Sequence, residues 1–308
     1  MKRAFTLLEL IIVIVILGII AMMSFNAMMN IYSNYFQTRT VNELETQTEI
    51  ALEQISKRLE HRIKPSVIAR KPSGGFLPLN DSRVNLNSGY EILEFIPYAY
   101  EIFNDVPSGN KAGRYSGYVD LANSSPATGL ISPGSNFSTE VVETIKDLTC
   151  KDDTRNATCV DFTNKDGGVV AIFSDVYYDV QNSFGYKDNL NLDIAKVGVK
   201  STDGNTLEIS GFANKQISEQ YHLAYTANAI VPEQSADPKD TANGVFDLNL
   251  YYDYRPWMGQ GYKNGEKATL AKNVTRFVFI EKNGVIVLKL CMRAKNSEIT
   301  ICKSKAVY

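Results

Sequence analysis

Hydrophobic residues are distributed unevenly along the chain, and the pattern changes character twice. Residues 5–23 are almost continuously apolar, with Glu9 as their only charged position. From there to Ile63 the apolar residues thin into a helical stripe, Phe25, Met28, Met29, Tyr32, Tyr35 and Phe36, then Leu44, Ala51, Leu52, Ile55, Leu59 and Ile63. No proline interrupts until Pro65. This spacing predicts one helix over residues 5–64, on the order of 90 Å long and far longer than a bilayer requires. Residues 5–24 are expected to form its membrane-spanning and assembly segment. Residues 25–64 are expected to form an amphipathic continuation whose face from Leu44 to Ile63 docks a head domain. The opposite face carries Glu43, Glu45, Glu49 and Glu53 before Lys57, Arg58 and Arg62. Acid early and base late suits the helix dipole, and a plainly solvated face would read the same way.

Beyond Pro65 turn residues become frequent and apolar positions alternate, so residues 65–308 are expected to form a mainly β head. Strands are predicted at 90–97, 169–180, 197–201, 206–212, 221–231, 245–252, 274–282, 285–293 and 298–304, with loops at 72–75, 106–110 and 123–138. Asn283-Gly284 between two alternating apolar runs is a strong hairpin signal. Parity tests the next hairpin. If Cys291 faces Cys302, then Met292 faces Ile301 and Ala294 faces Ile299, which gathers the apolar side chains on one face. The predicted class is therefore α+β, a long N-terminal helix packed on a mainly antiparallel sheet.

The formal net charge of −2 among 308 residues excludes a global field for nucleic acid or anionic lipid. Lys2 and Arg3 precede the apolar segment, which places the remainder of the chain outside the cytoplasm by the positive-inside rule. In an oxidising compartment the four cysteines, Cys150, Cys159, Cys291 and Cys302, read as two close disulfide pairs. Their spacing does not fit a zinc site, and His61 and His222 are the only histidines. No cofactor is expected.

Glu9 is an expensive residue, because a carboxylate at membrane depth costs roughly 2.5–3.5 kcal/mol on insertion scales. The apolar run from Leu10 to Met23 contains no basic residue. The basic leader, Ala4, Phe5, the Thr6-Leu7-Leu8-Glu9 that follows and the apolar helix together resemble the N-terminal signal of type IV pilins and type II secretion pseudopilins. The resemblance implies a leader of residues 1–4, cleavage by prepilin peptidase between Ala4 and Phe5, and methylation of the new amino terminus at Phe5. It gives Glu9 a role in assembly, pairing with the amino terminus of a neighbouring subunit. It also implies major and minor subunits, an inner-membrane assembly platform and membrane lipid as partners, with a single-pass inner-membrane location before transfer to a periplasmic or cell-surface filament. The order of segments is loosely similar to the W-type minor pilins and J-type minor pseudopilins, and the size of the head points to a minor rather than a major subunit.

No catalytic constellation emerges, and the expectation is a non-enzymatic protein. His222 lies in a strand pattern and reads as a satisfied structural residue. The aromatic stretch 251–262 would suit stacking on a sugar or base but reads first as a loop packed over a sheet edge. Asp237, Asp240, Asn243 and Asp247 lack the spacing of a calcium loop. Lys289, Arg293, Lys295, Lys303 and Lys305 gather on the last hairpin, where they would either protect an edge strand or meet DNA phosphates. The alternative function is therefore a surface adhesin or DNA-uptake module, with DNA or glycan as ligand.

Overall fold

The computed structural model describes residues 7–84, 89–103, 115–137, 139–150, 159–187, 192–200, 204–212, 215–295 and 297–308. The leader, with Ala4 and Phe5, lies outside the described residues, as do the loop at 106–110 and the segment between Cys150 and Cys159. Helix α1 (Leu7–Glu60) is followed by β1 (Ile68–Arg70), β2 (Phe76–Pro78), β3 (Ile92–Phe95), β4 (Leu130–Ile131) and α2 (Thr139–Thr149). Next come β5 (Val170–Phe173), β6 (Ala195–Val199), β7 (Thr206–Ser210), β8 (Tyr221–Ala224) and β9 (Ala227–Gln234). The chain continues with α3 (Pro238–Ala242), β10 (Phe246–Tyr254), β11 (Glu266–Lys282), β12 (Val285–Arg293) and β13 (Thr300–Val307).

The strands form an eight-stranded sheet, ordered β13-β12-β11-β10-β9-β3-β1-β2, and a five-stranded sheet, ordered β4-β7-β6-β5-β8. Every paired neighbour in both is antiparallel. Three apolar cores separate four layers. The first lies between the second half of α1 and the large sheet, with Leu52, Ile55 and Leu59 meeting Leu93, Leu250, Leu288 and Leu290. The second joins the back of the large sheet to the small one, through Ile68, Ile92, Val170, Ile172 and Trp257. The third covers the outer face of the small sheet, where Val141 and Ile145 of α2 pack on Ala171, Phe173 and Val197. Strand β5 shows why its sequence is apolar without interruption: Val170 and Ile172 enter one core while Ala171 and Phe173 enter another. The architecture is α+β and pilin-like, a long apolar helix on a mainly antiparallel β domain.

Helix α1 divides along its length. Its apolar residues from Leu7 to Phe36 are exposed, whereas Leu44, Ala51, Leu52, Ile55 and Leu59 are buried. Burying a leucine or isoleucine yields about 1.5–3 kcal/mol, so this short docking stripe anchors the helix. A ladder of charges reinforces it: Lys303 of β13 meets Glu45 at 3.2 Å and also Glu49, and Lys305 meets Glu53. The geometry is commensurate, since four helical residues advance about 6 Å and two strand residues about 6.8 Å. Carboxylates at every fourth helix position therefore line up with ammonium groups at every second strand position, and β13 runs alongside α1 in the same direction. Hydrogen bonding to Lys305 also lowers the Glu53 pKa.

The helix ends at Glu60, earlier than the expected 64, because the following backbone joins the sheet. Ile63 N–H donates to Ile96 O at 2.8 Å and Tyr98 N–H to His61 O at 2.9 Å. Arg62 is buried there and donates to Leu59 O, Tyr308 O and Gly284 O. Other boundaries differ from the sequence expectation for equally local reasons. The segment expected as one strand at 221–231 is β8 and β9, which belong to different sheets. Strand β5 stops before Asp175, whose φ of 59° ends the extended run. Strand β11 begins at Glu266, eight residues before the expected 274, and Asn273, at φ 57°, lies where the register shifts.

Cys150, just after α2, is bonded to Cys159, and Cys291 to Cys302 across β12 and β13. In that ladder Met292 faces Ile301, the register that hydrophobic parity requires. Replacing Cys291 and Cys302 together with alanine is expected to cost about 2–3 kcal/mol by the chain-entropy argument for so short a loop. The loss would appear as a lower denaturant midpoint in the fluorescence of Trp257, the only tryptophan.

Candidate functional site

The N-terminal end of α1 is the first site to consider. Over its most apolar stretch the helix has a mean hydropathy of 2.9, and none of that window is buried in the protein. Leu7, Leu8, Leu10, Ile11 and their successors turn their side chains outward on all sides. Such a surface needs lipid or other apolar helices around it. Glu9 stands in the first turn, near the positive end of the helix dipole, and is exposed while engaged in an interaction within the chain. A carboxylate there is favoured by the helix itself.

The head brings together residues that the sequence keeps far apart. Glu94, only 1% exposed in the middle of β3, accepts a hydrogen bond from Arg70 Nε at 2.7 Å and another from the Tyr254 hydroxyl at 2.8 Å. Burial pushes the carboxyl pKa up, while Arg70 and Tyr254 pull it down. Burial is the largest influence and the net shift is upward, while the two donors, one to each oxygen, oppose protonation. The Arg70 guanidinium lies 4.9 Å over the Phe76 ring and donates to Gly74 O and Tyr186 O. Burial alone would lower the guanidinium pKa, and Glu94 more than compensates, raising it. This network escaped the sequence reading, although Glu94 inside Ile92-Leu93-Glu94-Phe95-Ile96 is the visible signal of a buried carboxylate with a partner.

The remaining sequence candidates have local uses. Trp257 and Tyr254 of the aromatic stretch are fully buried, and the Trp257 indole donates to Gly168 O at 3.0 Å, so residues 253–257 are core, while Tyr251, Tyr252 and Tyr262 keep part of their surface exposed. Asp237 caps α3 by accepting from Lys239 N–H, and Asp240 lies beside Ser235. No group of three or more histidine, cysteine, aspartate and glutamate side chains suited to a metal ion occurs among the described residues. His222 is stacked on Tyr98 at 4.9 Å, but its buried Nδ1 has no hydrogen-bond partner, so it is not the fully satisfied histidine expected. Desolvation lowers its pKa and keeps the ring neutral. Lys303 and Lys305 are committed to the carboxylates of α1, which removes two of the five cations on the final hairpin from any phosphate-binding face.

Comparison with known proteins addresses only the N-terminal segment. No curated protein and no solved structure matches the chain. Residues 1–25 match the model of the prokaryotic N-terminal methylation motif. That motif implies processing by prepilin peptidase and assembly with other pilin subunits, and the apolar helix behind it fits a membrane anchor. The family is structural rather than enzymatic. An N-terminal methylation motif leading into a long exposed apolar helix that docks on an antiparallel head gives the chain the N-terminal signal and the architecture of type IV pilin-like proteins.

Proposed function

We propose that the protein is a non-enzymatic minor subunit of a type IV pilus or type II secretion pseudopilus, cleaved between Ala4 and Phe5 and methylated at Phe5. The methylation motif carries this reading. The form of α1 supports it, because one continuous helix has an apolar half available for lipid or neighbouring helices and a second half committed to its own head. A head of about 240 residues is bulky for a densely packed major subunit and favours a minor one near the filament tip. In this reading the head is extracytoplasmic, and the subunit waits in the inner membrane before an assembly platform transfers it to the filament.

Glu9 then acts as an intermolecular latch. Cleavage frees an amine one helical turn before it, and in a dry bundle the carboxylate of one subunit selects the ammonium of the next by charge and register. Mass analysis of protein isolated from its native membrane is expected to find a chain beginning at methylated Phe5. A mature chain beginning at Met1, or past residue 20, would refute the assignment.

A further inference from the structure

On the side of the head away from α1, three chain segments surround a cavity of about 390 Å³. They are the β1–β2 turn with Arg70, Lys71 and Gly74, the pair Gly185 and Tyr186, and the loop 256–264. Its size lies within the roughly 300–1,000 Å³ of small-molecule sites. We propose that this cavity binds an anionic saccharide, with the acid group toward the lysines and the sugar ring beside Tyr262.

Charge is the first reason. Three cations line the cavity, Arg70, Lys71 and Lys263, and the one carboxylate among them, Glu94, has both oxygens occupied by Arg70 and Tyr254. Lys71 and Lys263 form no ion pair among the described residues; each ammonium lies only over a tyrosine ring, that of Tyr90 or of Tyr262. An excess of positive charge is thus left facing a concave space.

The second reason is donor chemistry. Gln260 Oε1 accepts from Arg255 N–H at 2.9 Å and Asn264 Oδ1 from Gly261 N–H at 2.9 Å. Both amide oxygens are spent on closing the loop, so each side chain retains an NH₂ group with no partner among the described residues. The Arg70 guanidinium has five N–H donors, of which three are used within the protein. Such amides and guanidinium donors match the oxygens of a sugar acid.

The third reason is rigidity. Trp257 anchors the loop in the core, and a Cβ on Gly185, whose φ is +82°, would lie 2.5 Å from Pro256 O. The walls are in van der Waals register before any ligand arrives, which reduces the ordering cost of binding. Tyrosine and proline surfaces beside polar donors suit a sugar, with its apolar ring faces and hydroxyl rim, better than a bare inorganic anion. Three separate segments ringing the cavity also leave no open strand along which an acidic peptide would extend.

The test uses the full chain in detergent micelles and isothermal titration calorimetry with trigalacturonate. Saturable binding is expected, weakened about tenfold for each lysine removed in Lys71→Ala and Lys263→Ala, since each loses a charge-assisted hydrogen bond. Lys263→Arg is expected to retain binding, and unchanged Trp257 fluorescence would verify that the variants are folded. Four results would each overturn the proposal: no binding of trigalacturonate, equal binding of neutral galactotriose, equal or tighter binding of inorganic phosphate or oligothymidylate, or unaltered affinity in the double lysine variant. The inference is independent of N-terminal processing, and neither result bears on the filament role.

Discussion

Glu94→Ala is expected to destabilise the head by about 3–5 kcal/mol, because it leaves the Arg70 guanidinium, on a side chain only 14% exposed, without its counter-charge. A domain of this kind has only about 5–15 kcal/mol in total, so the variant would be close to unfolding. The energy lies in the mismatch rather than in the pair. Removing both charges with Arg70→Met and Glu94→Leu is therefore expected to recover most of the loss, since well-packed apolar side chains replace a buried ion pair at little cost. Tyr254→Phe removes one neutral donor to the carboxylate and is expected to cost about 1.5–3 kcal/mol, the range for a bond to a charged group. Denaturant titration followed by Trp257 fluorescence reads all three, because Trp257 and Tyr254 share one core. Equal loss in the single and double charge variants would show that the site needs the ion pair itself.

Glu9→Ala is expected to separate membrane residence from filament entry. Removing a carboxylate from membrane depth spares roughly 2.5–3.5 kcal/mol on insertion scales, so the variant should insert at least as well as the native chain. Filament incorporation should fall to background, because an alanine cannot attract the neighbour's ammonium. Glu9→Asp shortens the reach and should give an intermediate content. Quantifying the subunit in sheared filaments and in membranes reports both effects, and normal filament content of Glu9→Ala would dispose of the latch.

The long helix was legible because a helical stripe without proline persists over tens of residues. The Asn283-Gly284 hairpin was legible because its turn chemistry is local. Failures occurred where a local pattern was overridden by a distant partner. In β11 the buried positions move from Ala271 to Val274 across Asn273, which reverses the parity and hides the first half of the strand. Helix α2 is short, and from residue 141 on its buried positions are Val141, Ile145 and Thr149, too few to stand out. The large sheet joins β3 to β9, and α1 packs along β13, over separations that no window of sequence spans. The candidate site divides in the same way. Glu9 announces itself against an apolar background, whereas the cavity with Lys71 and Lys263 exists only once the turn after β1 and the loop after β10 are brought to one place.

The parallel run of α1 and β13 has a mechanical consequence. A pull on the anchor passes along the helix axis into Glu45, Glu49 and Glu53, and from them to Lys303 and Lys305. The load reaches β13 lengthwise, so its ladder with β12 is strained in shear, with many hydrogen bonds sharing the force instead of peeling one after another. The Cys291–Cys302 link rivets that seam covalently, and the head hangs from its anchor by the strongest direction a sheet possesses.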